Sequence, residues 1–347
     1  MNQLLLKLQS TIHRLMKNIK SFLFLFVLII STKTWSQENV ETISKSETER
    51  IEKYLSSDEL EGRKIYSKGI EKAALFISNE FKQIGLATLN NSNSYLQIFS
   101  TPTTIKNSNA ATPPNENPSL ANVVGVIPGK SLPNEYVIFS GHYDHLGING
   151  LKALNGDSIF NGANDDAAGT TAMMMLAKYF KKLNNNERTL IFVAFTAEEV
   201  GGAGAKYFSK QFDPMTVKAM FNIEMIGTES KWGKNSAYIT GYEKSDMGTI
   251  LQKNLAGTAF AFYPDPYTDQ NLFYRSDNKT LARLGVPAHT ISTSKMDSEP
   301  NYHKPSDQYE TLDIDNMTEI IKAIALSAQT IVSGKDTPTR VDTTQLK

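Results

Sequence analysis

Apolar residues first recur at helical spacing in "SETERIEKYLSSDELEGRKIYSKGIEKAALFISNEFKQIGL", where Ile51, Tyr54 and Leu55 share one face and Ala73, Ala74, Ile77, Phe81 and Ile84 share another. The spacing predicts two amphipathic helices around a polar turn, with Gly85 ending the second. Residues 90–119 are rich in Asn, Ser, Thr and Pro and contain only "SYLQIFS" as a strand-like stretch, which predicts a loop excursion too short for an inserted domain. From about residue 120 the texture changes. "ANVVGVIPG", "EYVIFSGHYD", "RTLIFVAFTAEE", "VKAMFNIEMIG", "SAYITG" and "VPAHTIST" have the unbroken apolar cores of strands covered on both faces. They alternate with helical patterns at "DAAGTTAMMMLAKYFKKL", "AGAKYFSKQF", "SDMGTILQKNLAG" and "DIDNMTEIIKAIALSAQTIVSG", and the methionines at 173–175 fall on a helix core. Strand and helix in alternation predict an α/β fold: a three-layer α/β/α sandwich with a central mixed, mainly parallel sheet.

The leader changes the picture. It carries Lys7, Arg14, Lys17, Lys20 and Lys33 and no acid, and runs into "SFLFLFVLII" at 21–30. That apolar run is shorter than the roughly 20 residues of a spanning helix and suits a signal-peptide core behind a positive flank. The expectation is a secretory signal over 1–36, cut near Ser36, and a secreted or periplasmic chain free of the membrane after cleavage; an uncleaved N-terminal anchor is the alternative. The expected division is then a single domain over 37–333, with a helical segment at about 44–89 and the excursion at about 90–119, followed by a flexible tail over 334–347. Charges balance at 36 basic and 36 acidic, so the total suggests no nucleic-acid partner. The absence of cysteine excludes disulfides, a lipid-attached cysteine and thiolate ligands, so any metal site must use nitrogen and oxygen.

The polar residues gather where ligands bind in open α/β sheets, at the carboxyl ends of the strands. His142, Asp144 and His145 end one strand, Asp165 and Asp166 open a helix, Glu198 and Glu199 end the next strand, and Glu224 closes the one after. His142 and Asp144 are two apart, so on an ideal strand their side chains share a face and the carboxylate can fix the imidazole's tautomer; a hydrogen-bonded structural histidine is the plainer reading. In "NGANDDAAG" helix capping explains one acid, whereas a carboxylate bridging two cations explains both acids and the small residues around them. The adjacent Glu198 and Glu199 repel unless they are solvated or gathered at a positive centre. If the latter, one can ligate metal while the other acts as general base.

The ordered motifs "GHYDHLG", "GANDDAAG", "FTAEEVGG", "NIEMIG" and "NYHKPSDQYETL" closely resemble the cocatalytic zinc exopeptidases of the M28 type, typified by secreted bacterial leucyl aminopeptidases and glutamate carboxypeptidase II. "SSDELEGR" and "NVVGVIPG" also look like that family, so the likeness covers nearly all of the chain beyond the leader. The resemblance implies the zinc-peptidase, phosphorylase/hydrolase-like fold, two Zn2+ per chain and a peptide substrate. It implies that Asp165 bridges the metals, that Glu199 and His303 complete one, and that His142 and Glu224 complete the other. Glu198 would be the general base acting on water shared by the zinc ions, Asp144 the carboxylate behind His142, and Tyr302 the phenol facing the developing oxyanion. The Asp165–Asp166 peptide is often cis in relatives. His145 is expected to support the ligands and His289 to be packed. Two departures stand out: many relatives have aspartate at Glu224, and Asn278 in "YRSDN" replaces a usual histidine, beside Arg275 as a candidate for a substrate carbonyl or carboxylate. The expected activity is that of an aminopeptidase. A carboxypeptidase or dipeptidase, a glutaminyl cyclase and a non-catalytic binding ectodomain are the alternatives.

Overall fold

The computed structural model describes residues 42–100, 105 and 119–346; the leader, with its expected signal and cleavage site, lies outside the described residues. Helix α1 (Lys45–Leu55) begins at Ser44, whose hydroxyl accepts the Glu47 N–H, and α2 (Lys68–Ile84) begins at Ser67, which accepts from Ile70. Such caps satisfy donors the first helical turn leaves unpaired. Gly85 ends α2 in the left-handed conformation, its N–H bonded to the carbonyls of Phe81 and Lys82.

The strands are β1 (Ala87–Thr88), β2 (Leu96–Ser100), β3 (Ser119–Ile127), β4 (Leu132–His142), β5 (Gly147–Ile148), β6 (Ile159–Phe160), β7 (Arg188–Phe195), β8 (Val217–Ile223), β9 (Ser236–Ile239), β10 (Ala261–Pro264) and β11 (Ala288–Ser292). A nine-stranded sheet runs in the order β1-β3-β7-β4-β8-β11-β9-β10, with β2 also paired to β3. Its four central strands, β7, β4, β8 and β11, are parallel. Antiparallel pairing flanks them at β3–β7 and β11–β9, so the sheet is mixed with a parallel centre. The remaining helices are α3 (Ala168–Leu183), α4 (Ala203–Ser209), α5 (Met247–Asn254), α6 (Asn278–Ala282), α7 (Ile314–Ser327) and α8 (Gln329–Val332).

Every residue of β7 is buried, which is why its sequence is a continuous apolar run. On one face Phe139 of β4 is in register with Phe192 and Phe221, its ring stacked 5.4 and 4.8 Å from theirs, and Phe180 of α3 lies against it at 5.3 Å. On the other, Ile138, Ile191, Val193, Phe195 and Met220 pack with Ala205 and Phe208 of α4 and Leu281 and Ala282 of α6. Each such phenylalanine contributes about 1.5–3 kcal/mol of burial.

Three details differ from the pattern. The strands β5, β6 and β10 are too short for alternation to register. The last helix divides at Ala328. The frayed tail expected from 334 onward is not what the fold holds: Thr339 bonds Asp246, Arg340 donates to the Val217 carbonyl, and Val341 is buried with its N–H on the Gly285 carbonyl. One apolar residue and a few backbone bonds anchor this segment, and neither leaves a periodicity.

Candidate metal centre

The parallel strands bring Phe195, His142, Ile223 and Ser292 to one rim of the sheet. A Cβ on Gly141 would come within 2.6 Å of the Gly169 backbone, so glycine lets the start of α3 close against the end of β4. Between them residues 163–167 form a tight turn, and the Asp165–Asp166 peptide is cis. Asp166 ties the turn to its surroundings: Oδ1 accepts the N–H of Gly169 (3.0 Å) and Met225 (3.1 Å), and Oδ2 accepts that of His142 (3.1 Å). Asp165 faces the imidazoles instead. Its Oδ1 lies 3.2 Å from His142 Nε2 and its Oδ2 3.1 Å from His303 Nε2, which is also 3.2 Å from Glu199 Oε2.

Two donor triads result. His142, Asp165 and Glu224 each offer a ligand atom within 4.8 Å of the others, as do His145, Asp165 and Glu199, and the triads share Asp165. Glu224 Oε2 and His145 Nε2 are buried without a hydrogen-bond partner, and Glu199 Oε1 is pressed 2.7 Å from His145 Nδ1. Acceptors crowded this way in a dry site are costly unless a cation joins them. A set made only of imidazole nitrogens and carboxylate oxygens suits zinc, so the residues present fit the metal that the motif resemblance implies.

The protein charges show the same imbalance. Burial pushes the Glu198 carboxyl well above the usual carboxylate range, with Asp277, Glu224 and Glu199 adding to it against His142. Burial likewise pushes Glu224 up to about 7. Asp165 is held well below its ordinary value, because its contacts with His142 and His303 outweigh burial. Those contacts raise His303 to about 10 despite its desolvation. Glu198 itself has little direct compensation, since Lys279 Nζ reaches its Oε1 only at 3.9 Å.

Asp144 does not do what its spacing suggests. His142 Nδ1 lies 3.1 Å from the backbone carbonyl of Asp144 and 3.8 Å from its carboxylate. A carbonyl can only accept, so Nδ1 carries the proton and Nε2 is left as a ligand atom. The Asp144 carboxylate accepts the N–H groups of Glu198 (3.0 Å) and Glu199 (3.4 Å) and so holds the paired-glutamate turn. That turn needs holding, since Ala197 is in the left-handed region with φ 61°.

Tyr302 stacks on His303 with ring centroids 3.9 Å apart. Burial, with Asp165, Glu199 and Glu224 nearby, keeps its phenol protonated. Arg275 binds Asp297 at 2.8 Å, and Asn278 is buried in bonds to the Phe273 and Ala288 carbonyls and to Thr290. His289 is packed, as expected, between Ser245 and the Thr240 carbonyl. Two residues escaped the pattern. Asp307 accepts the N–H of Asn164 (2.9 Å) and Asp165 (3.0 Å), its only sequence signal being its place in "NYHKPSDQYETL". Asp277 is wholly buried with both carboxylate oxygens unpartnered, and burial pushes it up to about 7.

Residues 122–328 match the sequence profile of peptidase family M28. A probable leucine aminopeptidase of Trichophyton verrucosum is 30% identical over 219 residues, 60% of this chain and 56% of that protein. The chain thus spans about half the length of the curated relatives it matches. Among solved structures, the Legionella pneumophila LapA aminopeptidase superposes with a TM-score of 0.65 at 19% identity, over 87% of this chain and 75% of that one. A Porphyromonas gingivalis glutaminyl cyclase gives 0.61 at 13% identity, over 83% and 99%. At such identities these likenesses establish the fold.

Proposed function

The chain belongs to peptidase family M28, and from that membership and its two linked donor triads we propose that it is an exported two-zinc aminopeptidase. One observation carries the reading: Asp165 turns one oxygen toward His142 and the other toward His303. His142, Asp165 and Glu224 would hold one zinc; Asp165, Glu199 and His303, whose Nε2 stands 3.1 and 3.2 Å from those two carboxylates, would hold the other, with His145 of the second triad behind Glu199 at 2.7 Å. Zinc bound there would supply Lewis acidity that polarises a carbonyl and acidifies water.

The chain's own residues do the rest. Glu198, mostly shielded from solvent and with a raised proton affinity, takes a proton from water and returns it to the leaving amine. Its neighbour Glu199 is turned away toward His303, so the base is not spent as a ligand. The protonated phenol of Tyr302 donates to the oxygen on which charge develops. Arg275 is already paired with Asp297, which disfavours it as the anchor for a substrate carboxylate. The basic leader and its apolar run support export, and no helix among the described residues is long and apolar enough to cross a membrane.

The test pairs elemental analysis with a panel of free and N-acetylated aminoacyl amides. Two zinc equivalents and cleavage of free amines alone are expected. Cleavage of N-blocked peptides bearing a free carboxylate would point to a carboxypeptidase, and one zinc with cyclisation of N-terminal glutamine to a glutaminyl cyclase.

A further inference from the structure

Arg63 belongs to neither donor triad, yet it is wholly buried and among the largest side chains that are. A guanidinium has five N–H donors and no acceptor, and a buried one is usually answered by a carboxylate. Here the hydrogen bonds go to backbone carbonyls. Nε donates to Tyr143 (2.9 Å), Nη1 to Leu55 and Asn161, and Nη2 to Gly162 (2.9 Å). Tyr143 sits between His142 and Asp144, Asn161 and Gly162 lead into the Asp165 turn, and Leu55 ends α1. The carbonyl of Arg63 in turn accepts the His145 N–H at 3.2 Å.

The backbone is bent to make this reach. Glu61, Gly62 and Arg63 are consecutively left-handed, with φ of 53°, 64° and 48°. A Cβ on Gly62 would lie 2.4 Å from the Phe160 carbonyl and 2.9 Å from Gly147 Cα, so only glycine fits there. Non-glycine residues persist in this conformation, at a cost of order 1 kcal/mol each, where their surroundings over-determine it.

We propose that Arg63 is a positioning residue for the metal centre: by bonding carbonyls of both ligand-bearing loops it sets where His142 and Asp165 stand relative to each other. This rests on the reading of those two residues as zinc ligands. The guanidinium also places a positive charge near Glu52 first, and then near Asp307, Asp165 and Asp144. Lysine cannot substitute, because a single ammonium on a flexible stem does not span carbonyls that a planar fork reaches together.

The test compares Arg63→Lys with Arg188→Lys. Arg188 is also buried and bonds the Ile331 and Asp336 carbonyls, Glu135 and Thr337, but it opens β7 at the far end of the sheet. Both variants lower the melting temperature. Only Arg63→Lys is expected to raise the zinc dissociation constant, by about tenfold or more in chelator competition. An Arg63→Lys constant within about twofold of wild type, or an equal rise in Arg188→Lys, overturns the inference alone; a wild-type chain that takes up no zinc overturns the functional reading with it. Should Arg63→Lys fail to fold, amide exchange on the wild type decides, because coupling is reciprocal. Zinc should slow exchange around residues 55–63 together with 142–146 and 161–167, and protection confined to the latter two refutes the coupling.

Discussion

Glu198 and Glu199 are neighbours in the chain with opposite surroundings. Glu199 meets His145 at 2.7 Å and His303 at 3.2 Å, whereas the nearest cation to Glu198 is Lys279 at 3.9 Å. Glu198→Gln should therefore keep its zinc and lose turnover by roughly 10²–10⁴-fold; metal-replete protein with near-normal rates would contradict the assignment. His145→Ala removes the group beside Glu199 Oε1 and is expected to lower the zinc retained on dialysis while the circular dichroism is unchanged. Full retention would leave His145 no part in holding Glu199. At this scale the sequence was legible for the residue types that gather at the rim and misleading for Asp144. The two-residue period holds only along extended chain, and β4 stops at His142, so the carboxylate leaves the face that the spacing assigned to it.

Among the elements, α1 and α3 meet through a buried acid. Glu52 of α1 accepts the Thr171 hydroxyl of α3 at 2.7 Å, and burial pushes its carboxyl from an ordinary 4.5 up to about 8. Between those limits the folded state binds a proton that the unfolded chain has released, so stability falls as pH rises, by at most about 1.4 kcal/mol per unit. Glu52→Gln should flatten this slope, so that denaturant midpoints of wild type and variant diverge from pH 5 to 8; parallel profiles would show that Glu52 stays ionised. Helices α1, α2, α3 and α7 were readable because each carries an apolar stripe over two turns or more. The two-residue strands β5 and β6 and the anchored segment around Val341 were not, since their hold comes from backbone bonds and single side chains.

For the whole molecule, the proposed ligands join chain positions from 142 to 303, so metal bound there would stabilise only the folded arrangement. Removing zinc with a chelator should lower the melting temperature by several degrees, since a ligand at a thousand times its dissociation constant contributes about 4 kcal/mol. Re-addition should restore it, in Glu198→Gln as in wild type, and an unchanged melting curve would deny the centre any stabilising role. The sequence by itself determined the strand and helix alternation, the apolar faces and the order of the acidic and histidine motifs, because periodicity and motif order are local properties of a chain. Only the tertiary structure decided which groups meet. The insertion of β4 between β7 and β8 gathers the rim, and Arg63 reaches Tyr143 and Gly162 across 80 and 99 residues. Asp307 likewise clamps the Asp165 turn from 142 residues away. Hydrogen bonds over such separations cost loop entropy that the packed sheet offsets, and no local periodicity at either end shows which group the other end will meet.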